Sequence, residues 1–466
     1  MNPLFALPWL ELALLTCLVG AAVVALRPGR YRLRIALATS GVVFACTFVA
    51  WLGFHAGFAP ASGPGVDPVG RWLGTPVFKL DDLTAPLVPA VALLHFLTVL
   101  ATPRSKMRRF SFASMFANEA VRLATFACQD ATLLIALLAL NVVPVYVELR
   151  SRGRPMRVFA LHMGASLACL AGGYAVSLRH PEAGSAAMML GVLIRVGIFP
   201  LHTWVTDLFE QASFGTALLF TTPLLGVLAA VRLVLPVAPD WVLAALGAVS
   251  LFTAVYAAAL ATVQRDARRF VAFVFLSHSS LVVVGLELHT AIGLTGAFAL
   301  WFSVVLSLGS FGLTLRCLEA RYGRLALTDF RGLYDQSPTL AVCFLLSGLA
   351  CVGFPGTLGF VSGELIVDAA IDTSLAVGIV VVIAAAFNGI AVVRAYFVLF
   401  TGAKHESLLT LTIGLRERVA LLTLAALILG GGLYPQPGIT TRFAAAEAVA
   451  RERAKHFGGP DHPGHE

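Results

Sequence analysis

Long apolar runs, separated by short polar stretches, recur along almost the whole chain. A helix crosses the hydrocarbon core of a bilayer in about 20 apolar residues. By that criterion about fourteen segments qualify, near residues 4–26, 33–55, 83–101, 110–129, 131–148, 157–178, 186–205, 214–236, 241–263, 269–287, 291–315, 337–354, 374–400 and 416–434. Residues 356–371 read as a broken or re-entrant piece attached to the twelfth segment.

The charges between these runs test the count. Arg27, Arg30, Arg32 and Arg34 follow the first segment, and Arg104, Lys106, Arg108 and Arg109 follow the third. Arg150, Arg152, Arg154 and Arg157 follow the fifth; Arg265, Arg268 and Arg269 the ninth; Arg316, Arg321, Arg324 and Arg331 the eleventh; Lys404 the thirteenth. Every cluster falls after an odd-numbered segment. Positive charge marks cytoplasmic loops, so the odd-to-even loops face the cytoplasm and both termini lie outside. One missed segment would invert everything downstream.

The stretch from Gly191 to Leu225 departs from this simple pattern. Its apolar sequence carries Arg195, His202, Asp207 and Glu210, and Pro200 interrupts the helix just before the histidine. A cation at mid-membrane costs roughly 2.5–3.5 kcal/mol on insertion scales, so it should face protein or trapped water. Proline in a spanning helix frees a backbone carbonyl that needs a partner inside the bundle. A charge, a break and a histidine so close together point to an ion path. VGIFP (Val196–Pro200) and VGFPG (Val352–Gly356) both place Gly and Pro in mid-membrane. Paired interruptions of this kind mark inverted repeats with a transport path between them.

Composition agrees with the class. Of 466 residues, 58% are hydrophobic and 12% charged, whereas soluble domains carry about 25% charge. The formal charge of +8 lies in short loops and reflects topology rather than nucleic-acid binding. Cys17, Cys46, Cys128, Cys169, Cys343 and Cys351 sit in apolar segments without CxxC spacing and read as small core residues. Leu4–Leu26 is long enough to be a span rather than a cleaved signal. No phosphate-binding glycine loop, metal-ligand cluster, cofactor pattern or nucleophile triad is evident, so no covalent chemistry, cofactor or metal is expected on this chain.

Six landmarks, in order, resemble the antiporter-like proton-channel subunits of respiratory complex I and the cation/proton antiporter complexes. They are FKLDDLTAPL (Phe78–Leu87), IRVGIFPLHTWVTDLFEQA (Ile194–Ala212), QRDARRFVAFVFLSHSS (Gln264–Ser280), GFPGTLGFVSGE (Gly353–Glu364), VVRAYF (Val392–Phe397) and GLYPQP (Gly432–Pro437). The resemblance implies an all-α membrane protein of fourteen helices, with two inverted five-helix repeats, breaks at Pro200 and Pro355, and a central polar axis carrying protons. It divides the chain into helices 1–3 (1–109), two repeats (110–236 and 237–403) and a last helix with a short tail (404–466). The short amphipathic stretch Thr440–Phe457 places it nearest the medium-length M/N-type subunits.

Departures from the family pattern matter to mechanism. The acid expected in the fifth span falls near Ala139, the seventh-span lysine is Arg195, and the eighth and eleventh spans lack charge from Gln211 to Val231 and from Ala291 to Leu315. The twelfth keeps only Glu364. Lysine can shed its proton in a membrane, but arginine is effectively always charged and biases its neighbours instead. Glu119 and Arg122, three residues apart on one helix face, are candidates to replace the missing pair.

Arg195 reads either as a structural cation paired to a buried acid such as Glu119 or as a charge of the path. His202 and His278 read either as proton relays or as packed, hydrogen-bonded histidines. Asp207 and Glu210 belong to the path or to a solvated helix end. Asp266, Arg268 and Arg269 read as a loop ion-pair cluster, Arg394 as snorkelling to the cytoplasmic face, His162 as a bridge between helix sets, and Asn388 as a cross-helix hydrogen-bond donor. The His-containing tail 458–466 reads as lacking structure.

The expected function is proton, or sodium/proton, translocation beside other membrane subunits in a bacterial cytoplasmic membrane. The alternatives are a membrane partner of a peripheral enzyme in proton-driven inorganic-carbon uptake, and a non-conducting structural paralogue. A respiratory oxidoreductase is a possible parent enzyme.

Overall fold

The computed structural model describes residues 7–26, 29–57, 77–102, 111–288, 290–402 and 413–457. Arg27, Arg104, Lys106, Arg108, Arg109, Lys404, the side chain of Arg30 and the tail 458–466 lie outside these, and with them part of the loop-charge pattern.

Helices run in the order α1 (Trp9–Leu26), α2 (Gly29–His55), α3 (Leu87–Leu100), α4 (Phe112–Ala127), α5 (Ala131–Ser151) and α6 (Arg157–Ser177). The predicted seventh segment is two pieces, α7 (Pro181–Val196) and α8 (Thr203–Gln211). Next come α9 (Phe214–Thr221), α10 (Leu225–Ala229), α11 (Asp240–Val263), α12 (Ala267–Glu287), α13 (Ala291–Ser303) and α14 (Gly309–Tyr322). The chain closes with α15 (Pro338–Val352), α16 (Leu358–Thr373), α17 (Leu375–Phe400), α18 (Leu415–Leu433) and α19 (Gln436–Phe457). Among the described residues there is no β-strand, only the isolated bridges Phe78–Cys128 and Asp266–Ala326.

Among the described residues, nine helical stretches are long and apolar enough to cross a membrane, and the pair α18–α19, bent by 75°, makes a tenth at most. The third, fourth, seventh and twelfth predicted segments fall short because α3 and α4 have 14 and 16 residues and the other two are broken. Phe214–Val234 and Ala267–Glu287 are 94% buried over their apolar windows, and Ala291–Tyr322 is 83% buried, against 28% for α1, α5 and α6. The former make the centre of the bundle, while the latter turn an apolar face outward.

Two features correct the sequence reading. The eighth segment is not one regular helix: Pro223 and a left-handed Leu224 (φ 51°) divide it, and a π-helical turn follows at Ala230–Val234. A second π turn, Val304–Leu308, sits inside the eleventh segment. Such single turns often mark functional sites. The terminal amphipathic helix also begins at Gln436, four residues before Thr440.

Both predicted breaks share one local design. Gly197 (φ 86°) ends α7 and Gly353 (φ 87°) ends α15, both left-handed; a Phe-Pro pair follows Gly353 directly and follows Gly197 after Ile198. Only glycine enters that conformation without a Cβ penalty. After the second break α16 packs tightly: a Cβ on Gly359 would lie 1.8 Å from the Ala350 carbonyl oxygen. Backbone cannot yield as a flexible side chain can. Gly359→Ala should therefore destabilise the protein by about 3 kcal/mol or more, the upper end for overpacking. The thermal midpoint of the detergent-solubilised assembly checks this; an unchanged midpoint would contradict the packing described.

Candidate functional site

The first break is held from both sides. Ile198 N–H bonds back to the Leu193 carbonyl at 2.9 Å, which leaves the Ile194 carbonyl free of its helical partner. The Trp204 indole N–H fills the gap at 2.8 Å. The tryptophan of the His-x-Trp sequence thus caps a broken helix. Phe199 N–H donates to Thr253 Oγ1 on α11 at 3.1 Å. His202, 9% exposed, sits among the rings of Phe199, Tyr256 and Phe273, at centroid distances of 5.8, 5.5 and 6.2 Å. His162 donates through Nδ1 to the Val158 carbonyl (2.8 Å), and its Nε2 accepts from the Thr203 hydroxyl (3.4 Å). It therefore ties α6 to the first residue beyond the break.

Arg195 is 5% exposed. Its Nη2 donates to the Leu138 carbonyl at 3.3 Å, Nη1 lies 3.7 Å from Met163 Sδ, and the guanidinium stands 5.7 Å from the Phe220 ring centre. No ion pair between Arg195 and Glu119 exists among the described residues, which corrects that reading. Leu138 immediately precedes Ala139, where the family acid was expected. A backbone carbonyl there takes one hydrogen bond from the cation that a carboxylate would have neutralised.

Glu119 and Arg122 are 0% and 1% exposed. Arg122 Nη1 lies 3.0 Å from Nε2 of His95 on α3. His95 Nδ1 lies 2.8 Å from the Val91 carbonyl, an oxygen that can only accept. Nδ1 therefore carries the proton, Nε2 accepts from the guanidinium, and His95 is neutral in this arrangement. Both oxygens of Glu119, Nε and Nη2 of Arg122, and Oδ1 of Asn118 have no hydrogen-bond partner among the described residues. Buried polar groups in native proteins are nearly always satisfied, so these five atoms mark a place for water or a moving proton. His95 lies in no motif, and no sequence signal singled it out.

The second break delivers a parallel arrangement. Pro355 has no N–H to offer the Cys351 carbonyl four residues earlier, and His278 Nε2 bonds to that oxygen. Nδ1 of the same ring lies 2.8 Å from the Val274 carbonyl. A neutral imidazole satisfies one of these two acceptors and an imidazolium both, so protonation of His278 is coupled to its seat on the broken helix. Next to it, Asn388 donates to Ser277 Oγ at 2.7 Å, and Ser277 donates to the Ala254 carbonyl at 2.9 Å. Asn388 thus makes the cross-helix bond expected of it.

Glu364 does not join this interior. It is exposed on α16, turned away from the bundle. Glu210 pairs with Arg269 at 2.9 Å at the end of α8, with half-buried Asp207 one turn before it. Asp266 caps α12 through the Arg268 and Arg269 N–H groups and pairs with Arg324 at 2.8 Å, while Arg268 pairs with Glu319 at 2.7 Å. The hydrogen bond to Asp266 holds the Arg324 guanidinium pKa above its ordinary value. Arg394 donates to the loop carbonyls of Gln264 and Leu327 at 3.2 and 3.3 Å. Arg232, one residue past the uncharged stretch of the eighth segment, pairs with Asp81 ahead of α3. All seven cysteines are free, and among the described residues no cluster of three or more His, Cys, Asp or Glu could hold a metal.

Comparison with known proteins agrees with this architecture. The family described as NADH:quinone oxidoreductase/Mrp antiporter, TM, matches residues 175–388. Chain 4 of an NAD(P)H-quinone oxidoreductase from Thermosynechococcus vestitus is 27% identical over 504 residues, covering 95% of this chain and 92% of that one. Subunit M of the F(420)H(2) dehydrogenase of Methanosarcina mazei is 27% identical over 277 residues, covering 56% of this chain and 54% of that one. A chain of respiratory complex I from Thermus thermophilus superposes with a TM-score of 0.82 at 22% identity, covering 95% of this chain and 99% of that one. A chain of the Mrp complex from Dietzia gives 0.81 at 18% identity, covering 98% and 100%. The chain is thus similar over nearly its whole length to an antiporter-like chain 4 of the quinone oxidoreductases, and its residues 175–388 match the NADH:quinone oxidoreductase/Mrp antiporter family.

Proposed function

We propose that this chain translocates protons, or exchanges sodium ions for them, as one membrane subunit of a multi-subunit complex. Glu119, Arg122 and His95 carry the reading: an acid, a cation and a neutral histidine, 0%, 1% and 0% exposed, gathered where hydrocarbon would make them costly. Around them we place fourteen crossings and two inverted repeats, 110–236 and 237–403, flanked by 1–109 and 404–466. The left-handed glycines that end α7 and α15, each with a Phe-Pro pair close behind, support that symmetry. Relatives named as chains of NAD(P)H-quinone oxidoreductases and the Mrp complex support the multi-subunit setting, and the arginines of the odd-to-even loops support our placing both termini outside a bacterial cytoplasmic membrane.

The groups divide by chemistry. Arg122 and Arg195 act as fixed charges that set the field, because guanidinium does not give up its proton. Glu119 and His278 exchange protons, with His202 at the first break, while neutral His95 holds the Arg122 guanidinium. Exposed Glu364 meets a neighbouring subunit, since a carboxylate in a span needs protein or water rather than lipid.

A non-conducting scaffold is the competing reading, favoured by the carbonyl, sulfur and aromatic partners of Arg195, none of which titrates. Proteoliposomes holding the intact assembly separate the two. His278→Gln keeps an amide N–H for the Cys351 carbonyl and cannot titrate, so proton flux should fall by roughly tenfold or more. A wild-type assembly that moves no protons would overturn the conducting reading.

A further inference from the structure

Two cavities approach the Glu119 cluster from the arginine-rich loop face, and one residue stands between them. The outer one, about 300 Å³, is lined by Arg152, Ser213, Arg268, Arg316, Glu319 and Arg324 among others. The inner one, about 20 Å³, is lined by Ser114, Asn118, Arg122, Pro144, Glu148 and Thr216 among others. A space of that size holds one water. The carboxylate of Glu148, near the end of α5 and 14% exposed, accepts from Ser213 N–H (3.0 Å) and Arg152 Nε (3.2 Å), both residues of the outer cavity. From the inner cavity it accepts the Thr216 hydroxyl at 2.5 Å. Asn118 and Arg122, which line the inner cavity, leave Oδ1, Nε and Nη2 unpartnered; Glu119, whose two oxygens also lack partners, follows Asn118 and stands one helical turn before Arg122 on α4.

We propose that Glu148 is the proton intake of this chain, passing protons from the outer cavity to Glu119 through water in the inner one. This rests on the proton-translocating reading above. Three hydrogen-bond donors, Ser213 N–H, Arg152 Nε and the Thr216 hydroxyl, reach the carboxylate from its outer and inner sides. A proton arriving from the loop side converts Glu148 to the acid. That O–H then transfers its proton to the intervening water, which releases another to the Glu119 carboxylate. Glu148 returns to its anionic form, and Arg122 stays charged throughout. Arg195 lines a separate cavity with Trp204 and Phe220 and lies off this route.

Glu148 also holds the start of α9, so the test must separate relay from scaffold. Glutamine keeps one oxygen to accept from Ser213 N–H, and its amide N–H can donate to the Thr216 hydroxyl oxygen, but it cannot carry a proton; aspartate is shorter but titrates. Flux is measured in proteoliposomes of the intact assembly bearing wild type, Glu148→Gln, Glu148→Asp or Glu119→Gln. The proposal expects Glu148→Gln to lose roughly tenfold or more of the flux and Glu148→Asp to retain more than Glu148→Gln. Full flux in Glu148→Gln, or an aspartate variant no better than the glutamine one, overturns it. If Glu119→Gln alone loses flux, protons reach Glu119 from elsewhere. A silent wild-type assembly strikes the functional reading instead, so the two failures are distinguishable.

Discussion

Glu119→Gln should abolish proton flux while leaving the complex assembled. Glutamine has nearly the volume of glutamate, so the packing of α4 against its neighbours survives, and volume-conserving changes in a core are the best tolerated. What disappears is the titratable group. A positioned proton-transfer group contributes about 10²–10⁴-fold to rate, so the expected loss is about 100-fold or more. The neighbourhood makes compensation hard: Arg122 cannot give up a proton, and His95 already donates through Nδ1 to Val91 and accepts at Nε2 from Arg122. Dye-monitored flux in proteoliposomes, with complex size measured in the same preparation, gives the answer. Undiminished flux would remove Glu119 from the path.

Arg195→Ala should produce a comparable loss of flux together with a loss of stability. The guanidinium fills space between α5, α6 and α9 and donates to the Leu138 carbonyl. Truncation leaves a cavity and a buried interaction unmade, at a cost of about 1–3 kcal/mol for the latter alone. The electrostatic consequence is larger, because the Arg195 charge is close enough to act on Arg122 and buried charges are weakly screened. Arg195→Lys separates the effects: it restores a cation that can titrate, so it should recover flux that alanine loses. Thermal midpoint and flux together check this. Equal flux in the alanine variant and wild type would favour the scaffold.

Nine of the predicted spans were legible because apolar runs of membrane length leave little choice, and Gly and Pro marked the breaks at Gly197 and Gly353 plainly. Family landmarks located Arg195, His202, His278 and both prolines. The lateral relations were not legible. These spans are apolar on nearly all sides, so the sequence carries no stripe to say which face turns inward. Hence Glu364 was placed in the path although it lies outside the bundle, and Arg195 was offered a partner in Glu119 that it does not touch. His95 meets Arg122 across 27 residues, and Glu148 meets Thr216 across 68; no helical spacing announces such pairs. Glu148 also sits among Arg150, Arg152 and Arg154, where a carboxylate reads as an ordinary loop counter-charge. Pro223 stood in an uncharged run, so its break drew no notice, although its carbonyl accepts the Trp301 indole N–H at 2.9 Å.

The most direct test is whether Glu119 itself takes up and releases a proton. Infrared difference spectra of the reconstituted assembly, recorded as the bulk pH is cycled, report protonated carboxyl groups. Wild type should show a carboxylic-acid carbonyl band that changes with pH and is missing in Glu119→Gln. Identical spectra from the two proteins would contradict the claim that Glu119 is the buried proton-binding site.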